Sequence, residues 1–246
     1  VFGLAKGALG PYSRSCEAFL QKKPENITFQ EAATLPVVFF TALYSLEKLA
    51  HLSANESILI HRASGGVGLA AIQVAHSLGA NVIATAGTQA KRDFLTRLGV
   101  SQVYDSRTFD FVDEIQKATE GKGVDVILNT LDEVGLRASM DLLTPATGRV
   151  IDLSTVHSHG LLPTACLRKG SAIFSFDLEE LAVSAPQLVT DTLAKIASRI
   201  AREKLWPLPY RSFPSDEMME ACRTFERAKH VGKFVVTSQS IEEAKS

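Results

Sequence analysis

The sequence predicts an α/β protein centred on a doubly wound parallel sheet. Two observations carry that prediction. From residue 56 onward, short β-rich apolar runs alternate with amphipathic segments of helical length, several of which end at a glycine. The first such run, "SILIHR", passes through a glycine-rich turn, Ala63-Ser64-Gly65-Gly66-Val67-Gly68, into the first helical segment. Alternation of this kind builds right-handed βαβ units and lays helices over a parallel sheet.

Taken in order, residues 1–23 are short apolar pieces broken by glycine and Pro11, which suits small strands and turns. "ITFQEAATLPVVFFTALYSLEKLAHL" has helical spacing, with Thr28 and Glu31 placed as a capping box. Pro36 lies inside it, removes a backbone donor and predicts two shorter helices instead of one. Strands are expected over "SILIHR", "NVIATA", "SQVYDS", "VDVILNT" and "RVIDLS". The helices between them cover 66–79, "QAKRDFLTRLG", "DFVDEIQKATEGKG" and "EVGLRASMDLLTPATG". "SAIFSF" adds a sixth strand after an irregular stretch from 155 to 170. A long amphipathic helix over 184–204 follows, then "WPLPYRSFP", which is too rich in proline for a central strand. A helix capped by Ser215 and a closing strand "KFVVTS" complete the fold, and the tail "QSIEEAKS" is expected to fray.

Composition narrows the function classes. The 246 residues are 46% hydrophobic and 22% charged, as in ordinary globular proteins. With 26 basic and 27 acidic side chains the net charge is −1, which gives no reason to expect nucleic acid or an anionic membrane as partner. No apolar run approaches the roughly 20 residues that span a bilayer. Cys16, Cys166 and Cys222 are odd in number and widely spaced, with neither zinc spacing nor a disulfide framework. These features fit a cytoplasmic location. Val1 opens a strand-like stretch, so the chain reads as a piece of something longer.

The glycine turn carries the first functional expectation. A missing side chain at Gly65 lets backbone N–H groups approach a pyrophosphate, Gly68 lets the helix lie close to the sheet, and the helix N-terminus favours anions. A purely structural turn is the alternative, and the strand-to-helix context favours a nucleotide. About 20 residues further on, an acid would hold the ribose 2′-hydroxyl of NAD. That position falls at Gly87 in "ATAGTQAKR", where Thr88, Lys91 and Arg92 follow instead of an acid. Cations suit a 2′-phosphate, so NADPH is the expected cofactor.

The stretches "EAATLPVVFFTALYSL", "ILIHRASGGVGLAAIQVA", "GVDVILNTL" and "HVGKFVV" together resemble the enoylreductase domain of polyketide synthases and animal-type fatty acid synthases, zinc-independent members of the medium-chain dehydrogenase/reductase superfamily. The resemblance runs over essentially the whole chain. It implies a Rossmann-type doubly wound sheet with a truncated GroES-like β-rich substrate portion. Residues 1–30 would be the end of that portion, 31–205 the NADPH-binding domain, and 206–246 a segment returning to the substrate portion. It implies hydride delivery from NADPH to the β-carbon of an α,β-unsaturated acyl thioester, followed by protonation at the α-carbon. The acyl chain would ride on an acyl carrier protein or CoA, other domains of the same synthase would be partners, and a homodimer is possible.

The resemblance also assigns positions. Thr41 would lie near the nicotinamide. Thr88, Lys91, Arg92, Ser106 and Arg107 would form the 2′-phosphate pocket. Asn129, Thr130 and Leu131 match a turn after the fourth strand, with Thr130 where the family has serine. Phe174 and Lys233 would face the cofactor, as would the backbone of residues 63–68. Two departures bear on catalysis. Most of the substrate portion, including a tyrosine some members use, has no counterpart here. Thr155 and His157 stand where many members carry a lysine and an aspartate that are candidate proton donors. An imidazole ordinarily titrates near neutrality, so His157 is a candidate donor beside Thr155, with His159 close by; two ordinary loop histidines are the alternative. A vestigial scaffold and a free-standing quinone or enone reductase are the competing functions.

Overall fold

The computed structural model describes residues 1–10, 12–154, 169–226 and 230–238. At its start β1 (Phe2–Gly3) and β2 (Leu20–Gln21) pair antiparallel, the small strands expected there. Thr28 then caps α1 (Phe29–Ala33): its hydroxyl accepts from the Glu31 amide at 3.2 Å, while the Glu31 carboxylate accepts from the Thr28 amide at 2.7 Å. This reciprocal box satisfies two amides that the helix leaves without partners. Thr28→Ala is expected to cost about 1 kcal/mol, read as a lower denaturant midpoint with unchanged slope. Pro36 opens α2 (Pro36–Leu43), so the stretch forms two helices, and a π-helical turn over Tyr44–Leu49 continues it.

The main sheet is built by β3 (Ser57–Ile60), β4 (Asn81–Ala86), β5 (Gln102–Asp105), β6 (Val126–Asn129), β7 (Arg149–Asp152) and β8 (Ala172–Phe174). Between them run α3 (Gly66–Ser77), α4 (Gln89–Arg97), α5 (Asp110–Ala118) and α6 (Glu133–Met140). The strand order is β5-β4-β3-β6-β7-β8 and every pair is parallel. The chain winds outward from β3 to β5, returns beside β3 as β6, and winds the other way: the Rossmann-type arrangement. Ile58, Leu59 and Ile60 are wholly buried, as are all four residues of β6, because helices cover both faces of a parallel sheet. Phe111 and Ile115, one turn apart on α5, join Leu59, Ile83, Ile127, Leu136 and Val150 in one apolar cluster.

The described elements differ from expectation at three points. First, α6 ends at Met140 instead of continuing towards Gly148. The Val124 amide donates to the Leu142 carbonyl at 2.7 Å and the Thr144 amide to the Val124 carbonyl at 2.9 Å. A partner far along the chain thus claims the backbone that would have extended the helix. Second, the long helix expected over 184–204 is present as α8 (Pro186–Ala201), but it is preceded by a short helix that was not expected, α7 (Leu178–Ser184). Pro186 stands in the first turn of α8, where its missing N–H costs nothing. Val189, Leu193, Ile196 and Ile200 form the buried face of α8. Third, Ser215 is no cap; it lies inside a 3-10 turn (Ser215–Glu217) that leads into α9 (Met218–Glu226), and Pro214 occupies the cap position. The proline-rich stretch stays out of the main sheet, with β9 (Tyr210–Pro214) pairing in parallel with β10 (Lys233–Thr237).

The chain divides into two compact units. One comprises Val1–Thr41, Gly65–Ala70 and the chain from Leu178 onward; the other comprises Ala42–Ser64 and Ala71–Asp177. Among the described residues no helix is long and apolar enough to cross a membrane.

Candidate functional site

In an open parallel sheet, ligands bind beyond the carboxyl ends of the strands, where the winding direction reverses. Here that point lies between β3 and β6. The turns leaving these two strands are tied together within the unit that holds the sheet. The His61 amide donates to the Leu128 carbonyl at 3.1 Å, and the Thr130 hydroxyl donates to the His61 carbonyl at 3.2 Å. Arg62 follows with φ of 47°, which swings the chain into the glycine turn, and the Ala63 amide donates to the Thr85 carbonyl at 2.9 Å. Ala63 and Ser64 are buried.

Just before the turn, the His61 side chain is 1% exposed. Its Nδ1 lies 3.0 Å from the Thr85 hydroxyl on β4 and its Nε2 lies 2.9 Å from the Ser139 hydroxyl on α6. Ser139 donates its only proton to the Gly135 carbonyl at 2.7 Å, so it accepts from Nε2–H. That leaves Nδ1 to accept from Thr85. The ring is held neutral in one tautomer; burial, with the charge of Arg62 second, pushes its pKa down to about 3.

At the carboxyl ends of β4 and β5, five of the residues expected in a phosphate pocket come together. Thr88 caps α4 by accepting from the Lys91 amide at 3.4 Å. A side chain at Gly87 would meet Arg107 Nε at 3.3 Å and the Ser106 hydroxyl at 3.5 Å, so this glycine leaves room for both. Burial and then the charge of Arg107 push the Lys91 ammonium down from its usual range, as expected of neighbouring cations in a partly dry site. Arg92 is differently placed. Its Nη1 contacts the Asp105 carboxylate at 2.8 Å and donates to the Ala86 carbonyl at 3.1 Å, while Nη2 donates to Gln89 at 3.0 Å.

The other expected residues divide between the two units. Asn129 is fully buried and its amide is engaged inside the chain: Nδ2 donates to the Leu131 carbonyl at 3.2 Å and to Asp152 at 2.9 Å, and Oδ1 accepts from the Leu131 amide at 3.2 Å. The side chain therefore shapes the turn that carries Thr130 and Leu131. Phe174 ends β8, at the sheet edge opposite the cations. In the other unit, Thr41 donates to the Val37 carbonyl at 2.8 Å. Gly66, Val67 and Gly68 open the first turn of α3, and the carbonyl of Gly65, just before it, accepts from the Leu69 amide. A side chain at Gly66 would come within 2.7 Å of Lys233 Cδ, so this glycine accommodates the lysine stem. Burial lowers the Lys233 pKa. Thr155, His157 and His159 lie outside the described residues.

Sequence reasoning passed over His61 and Asp105. His61 carries a readable signal, a polar residue closing an otherwise apolar strand. Asp105 becomes meaningful only when the parallel register sets it beside Ala86. A depression of about 1000 Å³ opens at the opposite ends of the strands, lined by Ser57, Asn81, Gln102 and Asp125. It lies away from the switch point and from the cations, so size alone does not make it the site. Among the described residues no three His, Cys, Asp or Glu side chains are grouped to hold a metal.

Comparison with known proteins bears on the family and the fold. The family described as zinc-binding dehydrogenase matches residues 66–185. A phenolphthiocerol/phthiocerol polyketide synthase protein of Mycobacterium tuberculosis is 36% identical over 239 residues, covering 96% of this chain but only 11% of that protein. The highly reducing polyketide synthase 40 of Fusarium mangiferae is 36% identical over 245 residues, covering 97% of this chain and 10% of that protein. The chain thus spans about a tenth of the length of the curated relatives it matches. Among solved structures, the CurF ER cyclopropanase from the curacin A biosynthetic pathway is 36% identical with a TM-score of 0.85, covering 91% of this chain and 67% of that one. The nucleotide-binding subdomain of the enoylreductase domain of PpsC from Mycobacterium tuberculosis is 40% identical with a TM-score of 0.65, covering 70% of this chain and 97% of that one. With a doubly wound sheet, a glycine-rich turn leaving its first strand and relatives of this closeness, the chain belongs to the enoyl reductase domains of polyketide synthases, in the medium-chain dehydrogenase/reductase superfamily.

Proposed function

We propose that this chain binds NADPH and serves the reduction of an α,β-unsaturated acyl thioester, the acyl group riding on an acyl carrier protein or CoA within a larger synthase. The observation that carries the cofactor assignment is the group Thr88, Lys91, Ser106 and Arg107 around Gly87. A 2′-phosphate needs cations and hydroxyl donors at this place, whereas the ribose of NAD needs an acid there. The residues present fit the former. The dihydronicotinamide supplies the hydride, which is the hard part of the chemistry. The protein's share is to seat the adenosine end through the pocket and to present the backbone of the glycine turn to the pyrophosphate.

Calorimetric titration of the chain with NADPH and NADH tests the cofactor. NADPH is expected to bind at least about tenfold tighter, and Arg107→Ala should weaken NADPH roughly 10- to 100-fold while leaving NADH nearly unchanged. Equal affinities for the two nucleotides would overturn the assignment. For the reaction, the natural protein containing this chain is expected to oxidise NADPH when given a crotonyl thioester. Tight NADPH binding without any turnover would instead favour a vestigial module.

A further inference from the structure

Three cations surround the carboxyl ends of β4 and β5, yet they do not stand equally towards an incoming anion. Arg92 is held by Asp105, by the Ala86 carbonyl and by Gln89. Its side chain is only 19% exposed. Asp105 meanwhile uses its second oxygen, Oδ1, to accept from the Arg107 amide at 2.9 Å. One carboxylate therefore neutralises Arg92 and at the same time fixes the backbone that presents Arg107. The Ser106 amide, next to it, donates to the Ala86 carbonyl, the same oxygen that Arg92 reaches.

We propose that Asp105 is a specificity-setting residue of the nucleotide pocket: it holds Arg92 as a neutral strut between β4, β5 and α4, and leaves recognition of the 2′-phosphate to Lys91, Arg107 and the adjoining hydroxyls. The inference rests on the reading of this pocket as a 2′-phosphate site and assigns its residues separate duties. A guanidinium paired with a carboxylate offers little net charge to a dianion, and its donors are already committed. Lys91 and Arg107 act on one another as like charges, an arrangement that an anion between them would relieve.

The test uses two adenosine nucleotides that differ only at the position in question: adenosine 2′,5′-bisphosphate and adenosine 5′-monophosphate. Their affinity ratio is measured by calorimetry on the full chain at low salt, where charge effects are least screened. Asp105→Asn keeps an oxygen for the Arg107 amide but removes the charge that neutralises Arg92. The ratio is expected to rise roughly three- to tenfold, through tighter binding of the bisphosphate alone. Combining Asp105→Asn with Arg92→Gln removes both members of the pair without changing net charge, and should return the ratio to within about twofold of the native chain. A loss of about tenfold or more in that double variant would show that Arg92 itself binds the phosphate, and would overturn the proposal. So would an unchanged or lowered ratio in Asp105→Asn, or an equal change for both nucleotides. If the native chain binds the two nucleotides equally, the reading of the pocket fails, and the proposal with it; a native preference untouched by Asp105→Asn fails the proposal alone.

Discussion

Acidification from pH 7 to pH 5 is expected to remove about 2 kcal/mol of folding stability through His61 alone. The sign follows from the direction of the shift. In the unfolded chain the imidazole takes up a proton near its ordinary value of 6.5; in the folded chain it does so only near 3. Between these values the unfolded state binds one proton more, so stability is fully present above about pH 6.5. It falls by about 1.4 kcal/mol per pH unit below that, until the folded ring also protonates. The cause is geometric. Nε2–H is donated to Ser139 and Nδ1 receives the Thr85 proton, within a buried site where Phe111 stands edge-on at 5.3 Å between centroids. His76, although on the exposed side of α3, is pushed in the same direction by partial desolvation and adds to acid sensitivity. His61→Gln separates the two, because a carboxamide offers one donor and one acceptor but takes up no proton in this range. Its urea-unfolding free energy should be lower than that of the native chain at pH 7 and depend less on pH between 6.5 and 4. A native-like slope in His61→Gln would mean that His61 is not the group responsible.

What could be read in advance follows the range of the interactions involved. Local ones were legible: the Thr28–Glu31 box, the helix start at Pro36, the strand at 81–86 and the glycine turn all depend on residues within a few positions of one another. Alternation of strands and helices was sufficient for a parallel sheet, because that connection has few alternatives. The end of α6 was not legible, since it is decided by Val124 in another part of the chain. The long helix was legible as α8 from its amphipathic spacing, whereas α7 was passed over, since none of its residues is buried. In the pocket, Thr88, Lys91 and Arg92 after Gly87 were legible as a hydroxyl and two cations, and Ser106 and Arg107, which the resemblance added, converge with them. Their unequal roles were not, because the carboxylate that engages Arg92 arrives on a neighbouring strand. Asn129 shows the same limit. Its side chain is committed to Asp152 of β7, a partner that only the sheet brings near.

Gly232→Ala is expected to cost at least about 3 kcal/mol, and Gly99→Ala only about 1 kcal/mol, although both glycines sit in the left-handed region. The two share the backbone penalty, with φ of 76° and 92°. They differ in what a side chain would meet. At Gly99, which follows α4, nothing lies within 4 Å. At Gly232 an added Cβ would fall 1.9 Å from the Pro209 carbonyl oxygen. That oxygen cannot simply retreat, because it accepts from the Lys233 amide at 2.9 Å and so starts the pairing of β9 with β10, in which Lys233 stands opposite Tyr210. Relief of the clash would shift the strand that carries Lys233, whose stem lies against Gly66, and would disturb the bridge between Gly65 and Gly232. Equilibrium unfolding of the two variants, with limited proteolysis near residue 232, compares the outcomes. Comparable small losses would show that the β9–β10 ribbon yields to the clash, and the account of Gly232 as a residue fixed by backbone contact would be wrong. A large loss confined to Gly232→Ala would show that the parallel pairing of β9 with β10 depends on this close approach for its register.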